Sequence, residues 1–254
     1  MTTELILLCT AAFSAGFIDA IVGGGGLIQT PSALILLPQY PVATVIGTLK
    51  IPAFTGTFFA AVQYAKRVSF NYKQLLLMMG IAFTAAFAGS ALLTVVSNHF
   101  IKPLLLVVLI LAALYTLLNK KFGDHTVKSH SAKTQWLYII LISLVIGFYD
   151  GFIGPGAGSF LVLAFISLLG YDFLHASAHA KFINLATNLG SIVFFAASGK
   201  IMYTIALPMA VCNGAGGLLG ARLALLKGNA FIRIFFLFVV TGTIIRFAYD
   251  VFFK

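Results

Sequence analysis

The sequence predicts an all-α polytopic membrane protein: eight transmembrane segments in two four-segment repeats, the first helix of each repeat broken by a glycine-rich stretch. Three observations predict it. Of 254 residues, 61% are apolar and 9% charged, with a mean hydropathy of +1.06, whereas a soluble domain needs about 25% charged residues to coat its surface. The apolar residues run in blocks of about 20, which at roughly 1.5 Å rise per residue match a hydrocarbon slab of about 30 Å. The chain also matches itself at a constant shift of 131 residues. Lipid supplies no partners for open backbone, and the alternating strands of a barrel are absent, so the blocks must be helices.

Met1 to Glu4 lack the basic region of a signal peptide, so the first block, Glu4 to Val22, reads as a retained membrane segment. The following blocks are Leu27 to Leu37, Val42 to Tyr64, Leu75 to Val96 and Ile101 to Leu118. A hydrophilic stretch, Asn119 to Gln135, then carries Lys120, Lys121, Lys128 and Lys133 against Asp124. Beyond it come Trp136 to Ile153, Phe160 to Leu169, Phe173 to Ala197, Met202 to Leu226 and Phe231 to Phe253. Leu27 to Leu37 and Phe160 to Leu169 are too short to span and follow glycine clusters, so they read as half-helices after a break. The chain divides into a first repeat (1–118), a basic loop (119–135) and a second repeat (136–254).

The self-match carries the duplication. Gly16, Phe17 and Asp19 fall on Gly147, Phe148 and Asp150, Gly23 and Gly25 on Gly154 and Gly156, Tyr40 on Tyr171, and Lys50 on Lys181. Tyr72 meets Tyr203, Gly89 meets Gly220, and Asn98, Phe100 and Ile101 meet Asn229, Phe231 and Ile232. Gapless coincidence of Gly, Asp, Lys, Asn and Tyr is not what shared composition produces. Duplicated membrane halves with a broken helix at the same place are the pattern of secondary transporters, whose substrate sits between the repeats. The formal net charge of +10 could suggest nucleic acid, but the basic residues sit in short connections, where they orient a membrane chain. Lys66, Arg67 and Lys73 mark one cytoplasmic connection and the 119–135 loop another; Arg222, Lys227 and Arg233 against a single Lys200 reverse the pattern in the second half and favour inverted halves.

Candidate site residues follow from what lipid penalises. The run Gly23 to Gly26 and its copy Gly154, Pro155, Gly156 and Gly158 would unwind a helix, since Gly costs about 1 kcal/mol and Pro about 3 in a helix interior. Unwound backbone at membrane depth must line a cavity or be buried in protein. The half-helix that follows aims unpaired N–H groups into it, which suits an anion; Gly24, Gly25, Gly26, Gly156 and Gly158 are the candidates. Close helix packing through small residues is the competing reading. Neither run reads Gly-Lys-Ser/Thr, and neither follows a strand, so both nucleotide-loop readings fail and no cofactor is expected.

Asp19 and Asp150, just ahead of the breaks, are either proton-coupling groups or structural caps. Lys50 and Lys181 lie about 8 residues inside their segments, roughly 12 Å deep, beyond easy snorkelling. Each wants an anionic substrate or a carboxylate, the pairings being Lys50 with Asp19 or Lys181 with Asp150. Asn184 and Asn188 share a helix face with Lys181 and could line the same space, whereas the first half matches them with Ala53 and Thr57. His175 and His179 lack a third ligand, so no metal is expected. His125 and His130 read as solvated loop residues, and Cys9 and Cys212, both inside apolar blocks, form no disulfide framework.

Through Gly16 to Pro31, Lys50 and their copies at Gly147 to Gly158 and Lys181, the sequence resembles the TauE/SafE sulfite exporter family, also called the TSUP permeases. The resemblance covers nearly the whole chain. It implies secondary transport of sulfite, sulfonates or other small organic anions across the bacterial inner or plasma membrane, usually outward. The chain departs from the family's common Thr-Asn-Lys at Thr48-Leu49-Lys50, with Pro52 following, so one amide of the first half is missing. The expected partners are therefore a small anion and the lipid bilayer, not nucleic acid; a homo-oligomer is compatible. An enzyme is not expected, because no nucleophile and base converge. The other class to weigh is a non-transporting membrane scaffold, which would keep packing glycines yet need no deep lysines.

Overall fold

The computed structural model describes residues 2–97 and 131–253. They are helical apart from short connections: α1 Thr2–Val22, α2 Gly26–Leu36, α3 Val42–Ala65, α4 Tyr72–Val95, α5 Ala132–Phe152, α6 Ala157–Leu169, α7 Phe173–Ala197 and α8 Tyr203–Phe253. The segment Ile101 to Leu118, most of the 119–135 loop, His125 and His130 lie outside the described residues.

Among the described residues, six helices are long and apolar enough to cross a membrane: Thr3–Val22, Val42–Ala65, Tyr72–Val95, Lys133–Phe152, Phe173–Ala197 and Tyr203–Gly228. α2 and α6, with 11 and 13 residues, are too short. α5 begins at Ala132, inside the stretch read as loop from the sequence, because Ser131 caps it by accepting a hydrogen bond from the Thr134 amide at 3.3 Å. α8 is interrupted at Gly228, whose φ of 72° no other residue type adopts cheaply. Past that bend it turns back, and the Phe235 ring meets Phe17 of α1 edge-on at 6.2 Å.

Which helix ends lie together fixes the directions of the chain. Leu8 near the start of α1, Ala33 in α2 and Leu37 just past its end, Val45 of α3 and Met209 of α8 form one apolar cluster. Leu93 near the end of α4 and Phe195 near the end of α7 join Val42, Ile46 and Ala206 in a neighbouring cluster. The starts of α1, α3 and α8 therefore share one side with the ends of α2, α4 and α7. On the opposite side Tyr64 and Val68 at the end of α3 pack with Leu75 and Met78 of α4, Ile139 of α5, Leu169 of α6, Phe173 of α7 and Ala221 of α8. α1 and α2 thus form a hairpin that returns to the side on which it began.

α1 packs along α8, and α5 along α4; α3 lies against α8 and α7, and α7 against α4. Lipid tails give no hydrophobic drive between helices, so close backbone approach through small residues has to supply the adhesion. A Cβ on Gly216 would come 2.9 Å from the Phe17 amide of α1, and one on Gly89 of α4 would come 2.8 Å from the Phe152 amide of α5.

Candidate functional site

The gaps between α1 and α2 and between α5 and α6 meet at the centre of the bundle. A Cβ on Gly23 would lie 2.7 Å from the Gly158 carbonyl oxygen, and one on Gly158 would lie 2.8 Å from the Gly23 Cα. Gly23, Gly154 and Gly156 all have positive φ, between 82° and 92°, so only glycine allows both the turn and the contact. Beside this crossing lies a cavity whose empty space, including the part open to solvent, is about 570 Å³.

Asp19, Gly25, Gly26, Lys50, Asp150, Gly156, Gly158, Asn184 and Asn188 all line the cavity. Gly24 is buried next to it, and its carbonyl accepts from the Leu27 amide at 3.1 Å. Lys181 does not line the wall. It lies behind Asp19, its side chain 1% exposed, and is shut off from the cavity by that carboxylate.

The pairing of charges is exchanged relative to the expectation. Lys50 on α3 meets Asp150 at 3.0 Å, and Lys181 on α7 meets Asp19 at 3.0 Å. Each ammonium also donates to the backbone carbonyl of its aspartate, Lys50 at 2.6 Å to Asp150 and Lys181 to Asp19. Those carbonyls sit in the last turns of α5 and α1, where the macrodipole is negative; the Asp150 carbonyl has no backbone donor among the described residues, and the Asp19 carbonyl also accepts from the Gly23 amide at 2.8 Å. A lysine supplies a donor and a positive charge at once. It has to come from the distant helix, because the glycine crossing sets the two broken ends side by side while α3 and α7 pack against each other.

The two carboxylates differ. Asp150 is saturated: Oδ1 accepts from Lys50, and Oδ2 from the Thr187 hydroxyl. Asp19 Oδ2 accepts from Lys181 at 3.0 Å and shares the one Thr57 hydroxyl proton, at 3.5 Å, with Asn184 Oδ1. Its Oδ1 takes no hydrogen bond from the described residues, and its side chain is 19% exposed against 5% for Asp150. Asn184 Oδ1 accepts from Thr57 at 3.4 Å and from Asn188 Nδ2 at 2.7 Å, which leaves the Asn184 amide N–H groups unpartnered at the cavity wall among the described residues.

The half-helices supply further donors. α2 opens at Gly26 and α6 at Ala157, and Gly26 approaches Pro155 closely enough that an added Cβ would sit 3.1 Å from its Cα. Two helix N-termini, one on each side of the glycine crossing, thus converge on the same space. Neither the Gly25 and Gly26 amides nor those of Gly156 and Gly158 have a backbone acceptor among the described residues. Such converging amides favour negative charge.

Gln29 and Asn213 complete the wall, and the sequence reading did not single them out. Asn213 Nδ2 donates to Gln29 Oε1 at 2.9 Å, and Gln29 donates to the Leu49 carbonyl at 3.4 Å. Asn213 occupies a slot left by glycine, since a Cβ on Gly16 would come 2.6 Å from its Oδ1. At the 131-residue shift these positions read Phe160 and Ala82. Differences between the halves, rather than coincidences, carried that signal. His175 and His179 stand apart: a ring nitrogen of His175 binds Asp172 at 2.7 Å, and His179 Nδ1 binds the His175 carbonyl at 2.8 Å.

Comparison with known proteins places this cavity in a family of membrane transporters. The model of the family described as Sulfite exporter TauE/SafE matches residues 8–247. The chain belongs to the TauE/SafE family. It is 37% identical over 246 residues to a protein of Sinorhizobium sp named Probable membrane transporter protein ORF9, covering 97% of this chain and 93% of that one. It is 34% identical over 229 residues to a Probable membrane transporter protein of Haemophilus influenzae, covering 90% and 88%. Against the Probable membrane transporter protein YfcA of Escherichia coli K12 the identity is 34% over 239 residues, covering 92% and 86%. No solved structure matches. As a TauE/SafE chain with six candidate spans it is a multi-pass bacterial membrane protein of a transporter family.

Proposed function

We propose that this TauE/SafE protein is a secondary permease that carries a small anion through the central cavity. Sulfite, sulfonates and other small organic anions are the substrate class, taken from the family description and from the size and polarity of the cavity. Lys50, Asn184, Asn188 and the amides of Gly24, Gly25, Gly26, Gly156 and Gly158 bind the anion, with Lys181 acting from behind Asp19. Asp19 and Asp150 hold the lysines and are the two candidate groups for coupling to a proton gradient.

The observation that carries this reading is the convergence of two half-helix N-termini and the unpartnered Asn184 amide beside a buried ammonium. The fold is read as eight membrane segments in two inverted four-segment repeats, each first helix broken at its glycines. The side-sharing of helix ends supports it, since α1 and α3 start on one side while their counterparts α5 and α7 start on the other. Inverted halves around a fixed central site permit alternating access by rocking.

Vesicles containing the purified chain and loaded with radiolabelled sulfite or methanesulfonate test the reading. Counterflow is expected, and Lys50→Met and Asn184→Leu should each lower it at least tenfold, equivalent to about 1.4 kcal/mol or more. Unchanged flux in both variants removes this cavity from the path. No counterflow with any anion tried favours the scaffold.

A further inference from the structure

We propose that Asp19, and not Asp150, binds one proton together with each anion. The inference deepens the reading of the cavity as an anion site and rests on it.

The charges at the centre cancel. Lys50 is matched by Asp150 and Lys181 by Asp19, each at 3.0 Å, and among the described residues no other charged side chain lines the cavity. An anion entering this arrangement would add an unbalanced negative charge in a poorly solvated space, next to a carboxylate oxygen that nothing holds. Burying unpaired charge is strongly unfavourable. A proton on Asp19 removes that conflict: the cavity becomes singly positive, and the anion returns it to neutrality. Only the empty cavity and the doubly loaded cavity are then electrically balanced, so anion and proton move together.

Geometry selects Asp19. A proton needs an oxygen that is reachable and not already accepting. Both oxygens of Asp150 accept hydrogen bonds and its side chain is 5% exposed. Asp19 Oδ1 is free among the described residues, and its side chain reaches the cavity. The proton comes from water onto Oδ1, and Lys181 stays an ammonium on Oδ2. The new O–H can donate to the anion, which also meets the open N–H groups of Asn184.

The groups that face Asp19 from each packed element are few. α7 presents Lys181 and Asn184, and α3 presents Thr57, Lys50 across the cavity, and Tyr64, whose hydroxyl donates to the Ala20 carbonyl at 3.1 Å. Asp150 closes the end of α5. α2 and α8 present Gln29 and Asn213, which are uncharged. Lys181 and Lys50 attract an arriving anion, whereas the Asp19 and Asp150 carboxylates repel it, and a proton on Asp19 removes one of those repulsions.

The test uses the full chain in lipid nanodiscs with methanesulfonate, ethanesulfonate and isethionate, monoanions whose sulfo groups do not titrate near neutrality. Binding in weakly buffered solution should take up one proton per anion, and over the pH range in which that uptake is complete affinity should fall about tenfold per pH unit. Asp19→Asn should bind with no proton uptake and a flat pH profile, while Lys50→Met with Asp150→Asn, which removes a matched pair and leaves the empty cavity neutral, should bind more weakly yet keep the uptake. Binding without proton uptake in the unaltered chain, uptake that survives in Asp19→Asn, or a sodium requirement in place of the proton each overturn the inference and leave the anion site standing. Absence of binding by all three anions at every pH rejects the anion site and this inference with it. The proton count on the unaltered chain decides the matter even if a variant does not fold.

Discussion

Lys50 and Asp150 are each nearly sealed from solvent, and each satisfies the other together with a helix terminus. Removing one partner leaves a buried charge alone, which costs about 3–5 kcal/mol, whereas removing both leaves only a packing defect. Lys50→Met should therefore lower thermal stability in nanodiscs by an amount of that order, and Lys50→Met with Asp150→Asn should recover most of it. A double variant no more stable than the single one would show that the pair does not interact. Gly23→Ala is expected to cost about 1–3 kcal/mol from overpacking against Gly158 alone, with left-handed strain added, and to abolish transport. Outside the spans, Asp172 caps α7 by accepting from the His175 amide at 2.9 Å. Partial burial pushes its pKa up, but the hydrogen bonds and charge of His175 outweigh this and hold it below the usual carboxylate value. A carboxylate depressed in the folded state stabilises fully above its unfolded pKa and loses that contribution as pH falls through the lower folded value. Asp172→Ala should cost about 1 kcal/mol at neutral pH, and the difference from the unaltered chain, followed by melting against pH, should shrink in acid.

At the scale of elements, the helices were legible because apolar length and glycine clusters mark them directly. Phe173–Ala197 stands where the sequence put it, and Glu4 to Val22 grew by two residues at its start. Misplacement came at α5, where a Ser cap outweighed the polar character of Lys133 and Gln135. The sequence does not show which helix each one touches. α1 packs along α8 through Gly216 and Gly220 because those glycines admit backbone, not because the segments are neighbours in the chain. Cys9 of α1 and Cys212 of α8 come within side-chain hydrogen-bonding reach there. With a protease site placed in the 119–135 loop, mild oxidation should keep the two cleaved pieces joined until a thiol is added, and Cys9→Ser should abolish the link. Pieces that separate under oxidation would refute the α1 to α8 packing.

For the whole molecule, basic residues gather on one side. Among the described residues, Lys66 and Arg67 between α3 and α4, Lys73 in the first turn of α4, Lys133 at the start of α5, and Arg222 and Lys227 near the end of the first part of α8 all lie there, against Lys200 on the other. By the positive-inside rule that face is expected to be cytoplasmic. Reporter tags should find the 119–135 loop in the cytoplasm and the C terminus on the opposite side; the same side for both would contradict inverted halves. The amino-acid sequence by itself determined that the chain lives in a bilayer, which stretches form its described helices to within a few residues at their ends, and which glycines, lysines and aspartates recur 131 residues apart. Those depend on local composition and spacing, which a one-dimensional string records. Only the tertiary structure decided that each lysine serves the other half's aspartate, that Gln29 and Asn213 face the same space, and that one carboxylate is saturated while the other keeps an open oxygen. Those depend on which surfaces meet between residues 100 to 184 positions apart, and a repeat period fixes the order of elements without fixing their relative orientation.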